Sequence, residues 1–329
     1  MFHDPERPAV QVSDPSYGPG LDPTESETAP VDTAVEGLSW RPLAPPAAPP
    51  GDLVFVDGAQ QVEAWLTITT AGDPRATPGV AFAVAAGAVA TGPGRPAEVT
   101  ALRVRRMVLT VGERLLALPP VGGFSWESRA GAAREATGMA RRVGQLRQEV
   151  ELSLAEELAR AGRLVVLDGR LSFVRDAPGP VVGAIKSHHR MYLPPDEARA
   201  VVALAVGERT PLFAIGEDRL SWYQRLPGAG CEGWAGILRG EVARALGLAE
   251  ARRLADRAAA ELPRFAGRPH RDPRAPQNLA PVAGLEERLR HRMGDRRLAL
   301  RAARRAAAGA TLDGGAGRVD VEAPEAVAA

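Results

Sequence analysis

The chain has 329 residues, enough for one large domain or two modest ones around a sizeable core. Its 41 basic and 40 acidic residues nearly cancel, so no global field draws it to nucleic acid or membrane. A single cysteine, Cys231, excludes an intramolecular disulfide framework and a Cys-rich zinc site.

The basic residues divide unevenly, with 40 arginines and one lysine, Lys186. In a chain this rich in Arg, Ala, Gly and Pro, the exception is either chance or a position that needs an ammonium. No run of 18 apolar residues offers a membrane-spanning helix. The N-terminus (MFHDPERPAV) lacks the basic and apolar regions of a signal peptide, so the expectation is a soluble cytoplasmic protein.

Residues 1–50 hold 11 prolines and eight acidic residues against two arginines, and read as a mostly disordered segment in which the part around Trp40 docks on the domain. The folded domain is expected over 51–306, and 307–329 as a second disordered tail. A continuous apolar strand, Leu53–Val56, stops at Asp57-Gly58. Alternation follows, with Val62, Ala64, Leu66 and Ile68 on one face and Gln61, Glu63, Trp65 and Thr67 on the other. Val80 to Ala90 and Glu98 to Val111 complete an antiparallel meander. Residues 128–162 read as helix from the spacing of Val143, Leu146, Val150, Leu154 and Leu158. Further strands are expected at Leu164–Leu167, Val181–Ile185 and Pro211–Ile215, and helices at 196–206, 239–262 and 284–306. The pattern predicts an α/β fold: a mixed sheet with flanking helices.

The strings LVFVDG and LVVLDG each put a carboxylate at the end of a four-residue apolar run. If the two strands are neighbours, Asp57 and Asp168 converge on one sheet edge, where a divalent cation with oxygen ligands, Mg²⁺ or Mn²⁺, relieves their repulsion. A capped turn at each Asp-Gly is the plain alternative. On the preceding helix Glu151 borders the apolar stripe and can supply a third carboxylate, with Glu149 in reserve; a solvated helix face is the alternative. Lys186 ends its own strand (VVGAIK) and can hold a phosphate or steady charge on a phosphorane. His188-His189 lacks the spacing of a helical metal pair.

DRLSWYQRLP sets Trp222 and Tyr223 beside Arg225, as a base-stacking platform or as an aromatic core strand. HRDPRAPQNLAPV offers His270, Asp272 and Asn278 to a metal or phosphate, or is a plain surface loop. The segment 285–306 carries eight arginines and three acidic residues, either a phosphate-backbone stripe or a solvated face. There is no Gly-rich phosphate loop, Ser-His-Asp order or dinucleotide-binding fingerprint.

Taken in order, FVDGAQQVEAW, VVLDGRLSF, VVGAIKSHHRMYLP, LSWYQRLP and HRDPRAPQNLAPV resemble the NurA domain family over about residues 50 to 295. The resemblance implies an RNase H-like fold and a Mn²⁺-dependent (or Mg²⁺-dependent) DNA nuclease acting on DNA ends. It also implies a homodimer that works with a hexameric HerA-type ATPase in double-strand-break end resection. By the same resemblance Asp57, Glu151 and Asp168 are the metal ligands and Lys186 the phosphate contact. The family's late Tyr and His motif is replaced here by HRDPRAPQNL, where His270 or Asp272 substitutes. That departure leaves open a non-catalytic DNA-end or ATPase adaptor on the same fold. A third option is another phosphoryl-transfer enzyme, because strand-Asp-Gly sites also occur in actin-like ATPases.

Overall fold

The computed structural model describes residues 30–47, 49–70, 73–132, 134–171, 179–188, 191–228, 233–268, 270–271, 275–312 and 317–322. The elements in chain order begin with β1 (Val31–Asp32), β2 (Leu53–Thr70), β3 (Asp73–Gly92), β4 (Arg95–Val111), β5 (Leu116–Ala117) and β6 (Glu127–Ala132). There follow α1 (Ala136–Arg160), β7 (Val165–Asp168), β8 (Val181–Ile185), α2 (Pro195–Val202), β9 (Phe213–Ile215), β10 (Arg219–Arg225) and β11 (Ile237–Ala243). The last are α3 (Leu248–Glu261), α4 (Ala280–Met293), α5 (Arg296–Ala307), β12 (Thr311–Leu312) and β13 (Gly317–Glu322). The chain divides into two compact units. Their division runs through β2, β3, β4, α1 and α4.

The first unit comprises residues up to Val56, Val89–Glu98 and Ala155–Ala283. Its strand order is β1-β9-β10-β11-β8-β7, then the opening residues of β2. Antiparallel pairing runs from β1 to β8, and β8, β7 and β2 pair in parallel, so the sheet is mixed. Side chains alternate across it. Trp222 enters a core with Phe55, Val166 and Val182, which Ala251, Leu254 and Ala258 of α3 cover. Tyr223 enters the opposite core with Phe213 and Ile237, against Val201 of α2.

The second unit comprises Asp57–Ala88, Val99–Leu154 and Gly284–Ala329. The remainder of β2 is followed in the sheet by β3, β4 and β6. β6 pairs parallel to β4, and β13 pairs antiparallel to β2. Alternation in β2 holds for its buried residues Ala64, Leu66 and Ile68, which meet Ala302, Ala303 and Ala306 of α5. Glu63, expected on the outer face, is also buried, held by Trp126 Nε1 at 3.0 Å and Arg106 Nε at 2.9 Å. Burial pushes its carboxyl above the usual glutamate range despite both donors.

Three expected helices differ. The segment over 128–162 starts at Ala136, because 127–132 pairs with β4 instead, and Gly131 takes φ +93° as its amide donates to Gly112 O. The segment over 239–262 opens as β11, a strand buried on both faces, because Arg239 and Glu241 neutralise each other at 2.6 Å and so enter the sheet among Leu238, Val242 and Ala243. Gly240 lies directly under the Trp222 indole, leaving no room for a Cβ. The segment over 284–306 is two helices, broken by Gly294 at φ +83° and restarted by Asp295, whose carboxylate accepts from the amides of Arg297 and Leu298.

The expected docking of the part around Trp40 is seen, and the described residues of both expected tails include short strands. Residues 30–47 add β1 to β9 and bridge Leu43 to Arg209. Trp40 packs near Phe213 with ring centroids 6.2 Å apart, and its Nε1 donates to Thr33 O at 2.9 Å. Glu36 is buried against Arg209, which supplies the ordering energy that composition alone did not reveal. Beyond 307, β12 pairs with β5. The calls on residues 1–29, 313–316 and 323–329 lie outside the described residues.

Candidate functional site

Within the first unit, β2 and β7 pair in parallel with Val54 opposite Val165, Phe55 opposite Val166 and Val56 opposite Leu167. The next residue of β2 is Asp57, and the next of β7 is Asp168. These apolar runs form neighbouring strands because both are buried on both faces, as parallel strands are.

Asp168 stands opposite Ala184 of β8, and the amide of Gly169 donates to Ala184 O at 3.0 Å. Gly169 has φ +107°, which lets the chain turn directly after the aspartate. Lys186 follows β8. Its Nζ donates to Asp168 Oδ2 at 2.7 Å and to Asn278 Oδ1 at 2.6 Å, with the side chain only 10 % exposed. Asn278 itself is buried just ahead of α4. The lone lysine is therefore fixed by one charge and one amide rather than lying on the surface.

Asp57 and Glu151 belong to the second unit, and both are buried. Glu151, 3 % exposed, is joined by Arg147 one helical turn earlier on α1. Its carboxylate lies against the backbone of Gly58. A Cβ at residue 58 would stand 2.6 Å from Glu151 Cγ and 2.7 Å from Cδ, so only glycine permits this approach. Glu149 instead points outward, pairing with Arg142 at 2.9 Å. Of the two glutamates weighed on sequence, Glu151 is the one turned towards the Asp57-Gly58 segment.

The remaining expected residues are distributed differently. His270 is exposed in a turn, and Asp272 lies outside the described residues. His188 sets Nε2 2.9 Å from Ile237 O and its ring against Tyr223 and Trp234. Trp222 and Tyr223 are wholly buried, so neither ring has a face for a nucleobase in this structure. Arg225 is likewise buried, donating to the carbonyls of Leu204, Ala235 and Gly233. Of the two alternatives read from this string, the aromatic core strand holds, and the Arg225 guanidinium ties loops together instead of serving a stacking platform. Sequence reasoning did not single out Arg147; its place four residues before Glu151 was the available signal.

Asp57 and Glu151 in the second unit, and Asp168 in the first, offer only carboxylate oxygens, the donor type a hard divalent cation takes. Gly58 supports that fit by giving one of them access to the backbone beside another. Among the described residues, no group of three or more His, Cys, Asp and Glu stands assembled as a metal cage. No helix is long and apolar enough to cross a membrane among the described residues. No protein-family model matches the chain, and no curated protein matches it.

Proposed function

We propose that the protein is a metal-dependent DNA nuclease with an RNase H-like sheet, acting in DNA end processing and double-strand-break repair. The observation that carries this reading is the parallel register of β2 and β7, with an aspartate next in line on each strand. Asp57, Glu151 and Asp168 would hold Mn²⁺ or Mg²⁺, which supplies activation of water and stabilisation of the leaving oxygen.

The chain's own cations do the rest. Lys186 binds a non-bridging phosphate oxygen near the scissile bond, exchanging part of its bond to Asp168 for one to substrate. Asn278 keeps Nζ aimed while that exchange takes place. Arg147 offsets the charge of Glu151 and prevents it from being buried unpaired. The partners that go with this reading are linear DNA, a hexameric HerA-type ATPase and a second copy of the chain.

The test is incubation of the purified protein with labelled linear duplex DNA and Mn²⁺ or Mg²⁺. Cleavage by the wild type that is lost in Asp57→Ala and Asp168→Ala is the expected result. No cleavage, or equal cleavage by both variants, overturns the reading.

A second reading, a non-catalytic DNA-end or ATPase adaptor, is favoured by the ion pairs that already neutralise Glu151 and Asp168. Calorimetry separates the two, because an adaptor takes up no Mn²⁺ at these carboxylates.

A further inference from the structure

We propose that α5 is a docking surface for the phosphate backbone of duplex DNA, engaged without regard to sequence. That the polyanion is DNA rests on the nuclease reading above; that α5 carries the surface does not.

Within its 12 residues α5 has five arginines and no acidic residue. Arg296, Arg297, Arg301, Arg304 and Arg305 are all exposed, while Ala299, Ala302, Ala303 and Ala306 are buried. The alanines seat the helix closely on Ala64, Leu66 and Ile68 of the same unit. At 100° per residue the arginines occupy one half of the helix, and at 1.5 Å rise they extend over roughly 13 Å. Duplex phosphates recur every few ångströms, so several fall within that reach. A guanidinium fork also matches a phosphate bidentately.

Among the described residues, four of these charges lack a carboxylate partner, whereas several arginines of α1 and α3 have one. In α3, Arg253 pairs with Glu250 and Arg257 with Glu261; in α1, Arg142 pairs with Glu149 and Arg147 with Glu151. Among the described residues, no carboxylate pairs with Arg297, Arg301, Arg304 or Arg305. Arg297 and Arg301, then Arg301 and Arg305, are like charges one turn apart and repel. Arg296 and Arg297 also stand in the first turn, where the helix dipole is already positive. The stripe therefore works against the stability of its own helix, and a bound polyanion removes that repulsion.

The apolar face decides between two anionic surfaces. Lying on a lipid headgroup layer requires an exposed apolar face to insert beside the arginines. Here that face is spent on the sheet, and Leu298 is the one large apolar side chain of α5 left exposed.

The test uses the full chain in EDTA, with fluorescein-labelled duplex DNA and anisotropy read across a salt series. Combining Arg301→Gln, Arg304→Gln and Arg305→Gln should weaken binding about tenfold or more and reduce the log–log salt slope by about 2 to 3. The variant should keep the wild-type melting temperature or exceed it, since only exposed, mutually repelling charges are removed. The corresponding lysine variant should restore the slope. Unchanged affinity and slope in the glutamine variant overturn the proposal. Equally tight binding of poly-glutamate, lost in the same variant, also overturns it by assigning the face to an acidic protein. Metal-free DNA binding that depends on α5 without cleavage in Mn²⁺ leaves this surface standing and removes the nuclease; cleavage with α5-independent binding does the reverse.

Discussion

Lys186 Nζ lies 2.7 Å from Asp168 Oδ2, although 18 residues of chain separate the two. The parallel pairing of β7 with β8 brings them together, because Asp168 stands opposite Ala184, two positions before the lysine. Asn278 completes the arrangement from 92 residues away.

Replacing Lys186 by Arg keeps the charge but not the geometry. A planar guanidinium cannot occupy the point between Asp168 and Asn278 that a tetrahedral ammonium fills. Under the nuclease reading, Lys186→Arg should lower the cleavage rate about 10²-fold or more, the scale of losing a positioned donor at a reacting centre. Thermal unfolding should stay close to wild type. Full cleavage by this variant would return the lone lysine to compositional chance.

Gly58→Ala should displace Glu151, because the new Cβ falls inside the space its carboxylate occupies. Overpacking of this kind costs about 1–3 kcal/mol. Denaturant unfolding should show that loss, and calorimetry a weaker Mn²⁺ titration. A variant as stable as wild type with an unaltered titration would show that Glu151 does not need this approach.

Glu36 reports on the N-terminal segment. Burial pushes its carboxyl up, but Arg209, the Leu212 amide and Arg252 overcome that and hold it below the usual value of 4.5. A depressed folded value means the stabilisation is complete above the unfolded value and is lost as pH falls through the folded one. Glu36→Gln should therefore cost about 3 kcal/mol at neutral pH. The gap to wild type should begin to close as pH falls past the usual value of 4.5 and close further through the lower folded value. Urea unfolding between pH 3 and 7 measures both, and a gap independent of pH would reject the assignment.

Trp222→Ala should destabilise the protein by about 3–5 kcal/mol, the cost of emptying a large buried site. Trp222→Phe should retain DNA affinity. Weakened DNA binding by a fully stable Trp222→Phe protein would revive the stacking role.

The elements that the amino-acid pattern made legible are those whose signal is local. The apolar runs before Asp57 and Asp168 are strands, although the first, expected to stop at Asp57-Gly58, continues through both residues to Thr70; the stripe through Val143, Leu146, Val150 and Leu154 is helical. β11 was missed because Arg239 and Glu241 read locally as a solvated face and are buried only by pairing with each other, and the break at Gly294-Asp295 was passed over within a long basic run.

By itself, then, the sequence determined where apolar runs stop, which residues follow them, and that one lysine stands apart from 40 arginines. Only the tertiary structure decided which of these residues meet. It paired β2 with β7 in register, turned Glu151 rather than Glu149 towards Gly58, and sent Trp222 and Tyr223 into the core. It also set Asn278, and not the exposed His270, against Lys186. The reason is physical: strand pairing and burial are long-range choices, made by which faces can exclude water together, and no local spacing encodes them.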